Sequence, residues 1–254
     1  MKLAVTGKGG AGKTTVAVLL ARYLAEEGKA VVLIDADPDA NTAMTLGLDP
    51  SEQPAPISEL KELIAERTGA KGTGGELFTL NPRVDDIPAR YSVDAGGIKL
   101  LRMGRLAKGG AGCFCPENAF LKNLLAYLIF QQDQVVILDM EPGVEHLGRG
   151  TAQGVDRMLV VVEPGRRSIQ TAFAIRQYAA DIGIHNIGVV VNKFRSPEEL
   201  RAIEEQVQGL PVLGRFPYDA DVAAADLLGT SPYKGTDEQK GHIRELLAAV
   251  AAEN

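Results

Sequence analysis

The sequence predicts an α/β protein, a doubly wound and mostly parallel sheet with helices on both faces, and three observations predict it. Short β-branched apolar runs alternate along the chain with longer amphipathic stretches, the pattern of repeated strand–helix–strand units. A glycine-rich segment, Gly7 to Thr14, stands between the first such strand and the first such helix. Two apolar runs lead into carboxylates, Asp35 and Asp139, at the strand ends where open parallel sheets bind ligands.

The elements follow in order. The first strand is expected at Leu3–Thr6, where apolar residues lead into the glycines, and the first helix at Thr14–Glu26. Ala30–Ile34 is the second strand, and Ile57–Arg67 has helical spacing. From Asp49 to Gly112 Pro and Gly are frequent, so loops or a small insertion are expected, with strand-like pieces only at Leu77–Leu80 and Ile98–Met103. A helix over Glu117–Phe130 then precedes the apolar strand Val135–Leu138. Leu159–Val162, Ile187–Val191 and Val212–Phe216 are further strands, alternating with helices over Ile169–Asp181, Pro197–Gln206 and Glu238–Ala252. The last helix aligns Ile243, Leu246, Leu247 and Val250, while its polar face offers only Lys240, His242 and Arg244 as cations. That is too few for a membrane-surface helix, so it is expected to close the core. No stretch has linker composition, and the 254 residues are read as one domain, 1–254.

Composition narrows the function. A net charge of −6 disfavours non-specific grip on a nucleic-acid backbone, and no apolar run reaches membrane-spanning length, so neither partner is expected. The opening MKLAVTGKGG puts a glycine-rich loop where a signal peptide needs a continuous apolar stretch, which places the chain in the cytoplasm. There a reducing environment keeps the two cysteines as thiols.

Gly7, Lys8, Gly9, Gly10, Ala11, Gly12, Lys13 and Thr14 satisfy the P-loop pattern in its required strand-to-helix context, with Thr15 next in the phosphate-binding set. The glycines let backbone N–H groups turn toward phosphate oxygens, and the new helix adds the positive end of its dipole. Lys13 is placed to reach the β and γ phosphates and Thr14 to hold Mg²⁺. Asp139, at the end of a buried strand, suits the Mg²⁺ shell, directly or through water. Lys8 comes too early to be the ordinary P-loop lysine.

With Lys8 included, the run resembles the deviant Walker A motif of the MinD-like ATPases, a family that takes in ParA-type partition proteins and the nitrogenase iron protein. The resemblance implies that Lys8 crosses a dimer interface to touch the partner's nucleotide, as an arginine finger does, so hydrolysis would require a homodimer. It also implies that Asp35, Ala36, Asp37 and Pro38 form a first switch, with Asp37 positioning the attacking water and Asp35 in the Mg²⁺ shell. Gly143 would let a second switch approach the γ-phosphate. Asn192 with Lys193 would read the base, and Pro217 and Tyr218 would lie near it through backbone contacts. The residues alone leave ATP or GTP open; the resemblance implies ATP.

Cys113 and Cys115 are the only cysteines. In extended backbone, residues i and i+2 project to one side, and Pro116 suits the first position of a helix whose cap would be Cys115. A thiol at a helix N-terminus has its thiolate stabilised, which favours metal binding. Two thiolates do not fill a four-coordinate site, but two copies about a twofold axis supply four sulfurs, giving one metal per dimer: Zn²⁺ in a tetrahedron or Ni²⁺ in a square plane. A buried pair of small apolar residues and a redox dithiol remain alternatives, and His146 is a further possible ligand.

Together the Lys8 P-loop, Asp35 to Pro38, Cys113 to Asn118, and Glu145, His146, Leu147, Arg149 and Gly150 resemble the CooC-type accessory ATPases. These insert nickel into carbon monoxide dehydrogenase. The resemblance spans the chain and implies an ATP-dependent metallochaperone serving that enzyme or the related acetyl-CoA synthase. Two rival readings keep the same ATPase: a partition-type switch without metal, and an ATP-gated iron–sulfur electron carrier.

Overall fold

The computed structural model describes residues 1–70, 77–104, 115–144 and 147–252. Among these residues eight strands form one sheet: β1 Lys2–Gly7, β2 Val31–Ala36, β3 Val93–Asp94, β4 Ile98–Arg102, β5 Val135–Met140, β6 Arg157–Val162, β7 Ile187–Phe194 and β8 Val212–Pro217. Their order is β3-β4-β2-β5-β1-β6-β7-β8. Among the described strands only β3 runs antiparallel, against β4. The six expected strands are all present, and β1, β2, β5 and β6 are buried along their whole length because helices cover both faces, which is why they read as largely apolar runs.

The helices are α1 Lys13–Glu26, α2 Thr42–Thr45, α3 Lys61–Thr68, α4 Ile87–Tyr91, α5 Pro116–Phe130, α6 Arg149–Ala152, α7 Arg166–Ile182, α8 Pro197–Gln206, α9 Ala220–Leu228 and α10 Asp237–Ala252. One core packs α1 and α10 on one face of the sheet: Val16, Leu20 and Leu24 meet Leu33, Ile137 and Leu159, and Ile243 and Leu246 close it. The other face is covered by α5 and α7. There Phe120, Leu121, Leu124, Leu125 and Leu128 present a stripe at helical spacing to Ile34, Leu138 and Val160. Each such leucine contributes about 2 kcal/mol by leaving water. The last helix therefore closes the core, as its apolar face predicts.

Three expectations are corrected. Leu77–Leu80 is no strand: Leu77 is 99% exposed and Leu80 54%, so these leucines face solvent instead of a sheet partner. Ile57–Arg67 is not one helix but a 3-10 turn, Ile57–Glu59, followed by α3. The Ser58 N–H donates to the Met103 carbonyl at 3.0 Å, tying the first turn to the end of β4 instead of to a helical ladder. And α9 was not expected. Asp219 caps it, accepting from the N–H groups of Asp221 at 2.7 Å and Val222 at 3.3 Å. Only Ala225 of that helix is buried, so it carries no amphipathic stripe to read.

Candidate nucleotide site

The C-terminal ends of β1, β2, β5, β6, β7 and β8 border one cleft of about 1360 Å³. β1 enters it between β5 and β6, and Gly7 pairs with Val161 closely enough that a side chain at 7 would strike the Val161 carbonyl. The loop then folds on itself, with the Ala11 N–H donating to the Lys8 carbonyl at 3.1 Å. Gly12, at φ 92°, caps α1 in the left-handed region that glycine tolerates. Lys13, buried, follows as the first residue of α1, and Gly9, Gly10, Gly12, Lys13, Thr14 and Thr15 all line the cleft.

Asp35 and Asp139 are register partners on the adjacent strands β2 and β5, and both are buried. Thr42, absent from the sequence reading, joins them: its hydroxyl donates to Asp139 Oδ2 at 3.0 Å and its N–H to Asp35 Oδ2 at 3.3 Å. Desolvation, then the neighbouring Asp139 charge, pushes the Asp35 carboxyl up to about 7. Asp139 is raised by burial to about 6, with the Thr14 and Thr42 hydroxyls and the Lys13 ammonium pulling the other way. Asp139 Oδ1 is buried and has no hydrogen-bond partner among the described residues. A divalent cation would satisfy that oxygen and offset the paired carboxylates, so Asp35, Asp139 and the Thr14 hydroxyl fit Mg²⁺.

The raised Asp35 value has a testable consequence. A carboxyl that binds its proton more tightly folded than unfolded adds stability below its ordinary value of 3.8 and loses it as pH rises through about 7. Without nucleotide or Mg²⁺, Asp35→Asn is therefore expected to stabilise the protein at pH 8 relative to wild type by up to about 4 kcal/mol, and by less than half as much at pH 5. Thermal melts of both proteins at the two pH values check it.

The other polar groups converge on the P-loop. Asp37 Oδ2 lies 3.6 Å from Lys13 Nζ. Lys8 Nζ donates to Glu163 Oε1 at 2.9 Å, a partner that the sequence reading did not name. Asn192, buried, donates from Nδ2 to the Ala11 carbonyl at 2.9 Å, and Lys193 Nζ to the Gly10 carbonyl at 2.6 Å. Both residues thus brace the loop, besides bordering the space expected for a base. Pro217 and Tyr218 line that space too. The Tyr218 N–H is committed to the Phe194 carbonyl at 2.8 Å, which leaves carbonyl oxygens as its backbone offer to a ligand. The Arg195 guanidinium covers the Tyr218 ring at 4.6 Å. Thr6 ties the segment after β5 to β1, its hydroxyl donating to the Glu141 carbonyl at 3.0 Å and accepting from the Gly143 N–H at 3.4 Å.

Cys115 caps α5 in extended backbone, φ −110° and ψ 153°, with Pro116 at the first helical position, as expected. Its residue is half-buried. Cys113 and His146 lie outside the described residues.

Comparison with known proteins places this geometry. Residues 2–232 match the family model described as the CobQ/CobB/MinD/ParA nucleotide binding domain. The chain is 46% identical to the carbon monoxide dehydrogenase accessory protein CooC of Rhodospirillum rubrum, over 98% of this chain and 96% of that one. It is 45% identical to an ATP-binding protein of Methanocaldococcus jannaschii, over 90% of each. Among solved structures, a chain of the MinC:MinD cell division protein complex of Aquifex aeolicus superposes with a TM-score of 0.69 at 19% identity, covering 100% of this chain and 96% of that one. A partition protein of Borrelia burgdorferi bound to AMPPNP gives 0.66 at 15%, covering 100% and 99%. At such identities these two establish the shared fold. No described helix is long and apolar enough to cross a membrane.

Proposed function

The chain belongs to the CobQ/CobB/MinD/ParA nucleotide-binding family and within it to the CooC type, and from that premise we propose that it is a dimerising ATPase that carries a metal ion to carbon monoxide dehydrogenase. The observation that carries this reading is the end-to-end likeness to the R. rubrum accessory protein, joined to a P-loop whose surroundings fit a Mg²⁺–nucleotide. The chain acts as one cytoplasmic domain, and the cargo is Ni²⁺ or Zn²⁺.

Each residue then has a task. The P-loop N–H groups and Lys13 bind the β and γ phosphates, and Asn192, Lys193, Pro217 and Tyr218 frame the base. Thr14, Asp35 and Asp139 hold Mg²⁺, which when bound offsets charge building on the phosphate oxygens. Asp37 orients the attacking water. Lys8 reaches the nucleotide of the second copy and stabilises the leaving charge, so chemistry waits for the dimer. Cys113 and Cys115 of both protomers supply four thiolates to one metal, and closure of the dimer on ATP brings them together. Linkage makes this reciprocal: if ATP favours the metal-binding dimer, metal favours the ATP-bound one.

The test uses carbon monoxide dehydrogenase purified without nickel. Incubated with this protein, Ni²⁺ and ATP, it is expected to gain activity at least about tenfold faster than with Ni²⁺ and a non-hydrolysable analogue, the span of a coupling of one to two kcal/mol. Equal rates in the two mixtures would sink the ATP-driven delivery.

A further inference from the structure

Three neighbouring strand ends carry a charge triplet, Lys8, Glu163 and Lys193, of which the scheme above leaves Glu163 without a task. β1, β6 and β7 lie side by side, with Gly7 opposite Val161 and Val162 opposite Val191. Lys8 and Glu163 are the residues that leave the first two strands, and Lys193 lies just past Asn192 on the third. Glu163 stands between the cations, Oε1 accepting from Lys8 Nζ at 2.9 Å and Oε2 lying 4.0 Å from Lys193 Nζ.

Two of the three are anchored. The Glu163 N–H donates to Ser168 Oγ at 3.1 Å, and Ser168 is buried in the first turn of α7. Lys193 sits at φ 63°, a left-handed conformation that costs a non-glycine residue energy, and Nζ donates to the Gly10 carbonyl at 2.6 Å. Lys8 is the movable member. Besides Glu163, its one hydrogen bond among the described residues is to the Gly9 carbonyl at 3.4 Å, and its side chain is 35% exposed.

We propose that Glu163 is a positioning residue that holds Lys8 against its own P-loop until a second copy docks, so that Lys8 is handed from Glu163 to the partner's nucleotide as the dimer closes. The proposal rests on the reading above that Lys8 acts on the second copy. An ion pair this exposed favours one arrangement only severalfold, so it restrains Lys8 without preventing release. Lys193 stays beside the carboxylate when Lys8 leaves, so Glu163 is not left facing phosphates without a cation.

The test is hydrolysis per chain against protein concentration, with sedimentation velocity in a non-hydrolysable ATP analogue, for wild type, Glu163→Gln, Glu163→Asp and Lys8→Ala. Glu163→Gln is expected to lower the protein concentration of half-maximal rate and of half-dimerisation about fivefold. Glu163→Asp keeps the charge and stays near wild type. Salt at 0.5 M, roughly the range where screening shortens to a few ångströms, moves the wild-type midpoint toward that of Glu163→Gln and leaves the variant in place. An unmoved midpoint in Glu163→Gln, or a fall in its plateau rate alone, overturns the proposal while the dimer reading stands. A wild-type rate independent of protein concentration, with full activity in Lys8→Ala, overturns both. Should Glu163→Gln fold poorly, the salt shift of wild type decides the matter.

Discussion

Lys8→Ala is expected to lower steady-state ATP hydrolysis at least about a thousandfold while leaving nucleotide affinity within about threefold, the pattern of a group that acts only on the transition state. Affinity survives because the binding set, the P-loop N–H groups with Lys13, Thr14 and the braces from Asn192 and Lys193, does not include it. The rate falls because a cation that offsets charge on the transferring phosphoryl group is removed. Mixing separates a cation acting on its own site from one acting across the dimer. In a mixed dimer of Lys8→Ala with Asp139→Asn, the site with intact Asp139 faces a partner with intact Lys8. Two inactive proteins mixed in equal amounts should therefore recover about a quarter of wild-type activity, since about half the dimers are mixed and half their sites are complete. Absence of recovery, with dimers demonstrably exchanging, would place Lys8 in its own site.

The second large effect is at the cysteines. Changing Cys113 and Cys115 to Ser is expected to weaken Ni²⁺ or Zn²⁺ binding at least about a thousandfold, because hydroxyls do not replace thiolates as ligands to these ions. Hydrolysis by the same variant should persist, since Cys115 caps α5 and is not among the residues that border the nucleotide cleft. Anaerobic metal titration with a parallel phosphate-release assay checks both halves. Metal binding unchanged in the double variant would move the metal site elsewhere.

What could be read beforehand divides along a physical line. The phosphate loop was legible because its chemistry is written in consecutive residues: strand, glycines, Lys13, Thr14, helix. Asp35 and Asp139 were legible because each ends an apolar strand, although their pairing in register required the sheet order. Thr42 and Glu163 were not, since each meets its partner across a long stretch of chain, Thr42 to Asp139 and Lys8 to Glu163. No local pattern marks such pairs. The same holds for Asn192 and Lys193, whose position after a strand suggested a base contact, while their bonds to the Ala11 and Gly10 carbonyls arise only once β7 lies beside β6. In the middle of the chain, Ile98–Met103 was recognised as strand-like, but its place beside β2, inside the main sheet, was not expected of a loop-rich insertion. Leu77–Leu80 failed because a short apolar, strand-like run forms a strand only when a sheet is there to bury it.

The most direct test of the account is an anaerobic Ni²⁺ titration of the wild-type protein, with and without a non-hydrolysable ATP analogue, while molecular mass is followed. The account predicts one metal per two chains, a dimeric mass, and affinity at least about tenfold tighter with the analogue, the span of a modest coupling between two sites. Metal affinity and stoichiometry that ignore the nucleotide would contradict it, and the protein would then be an ATPase whose cysteines serve another purpose.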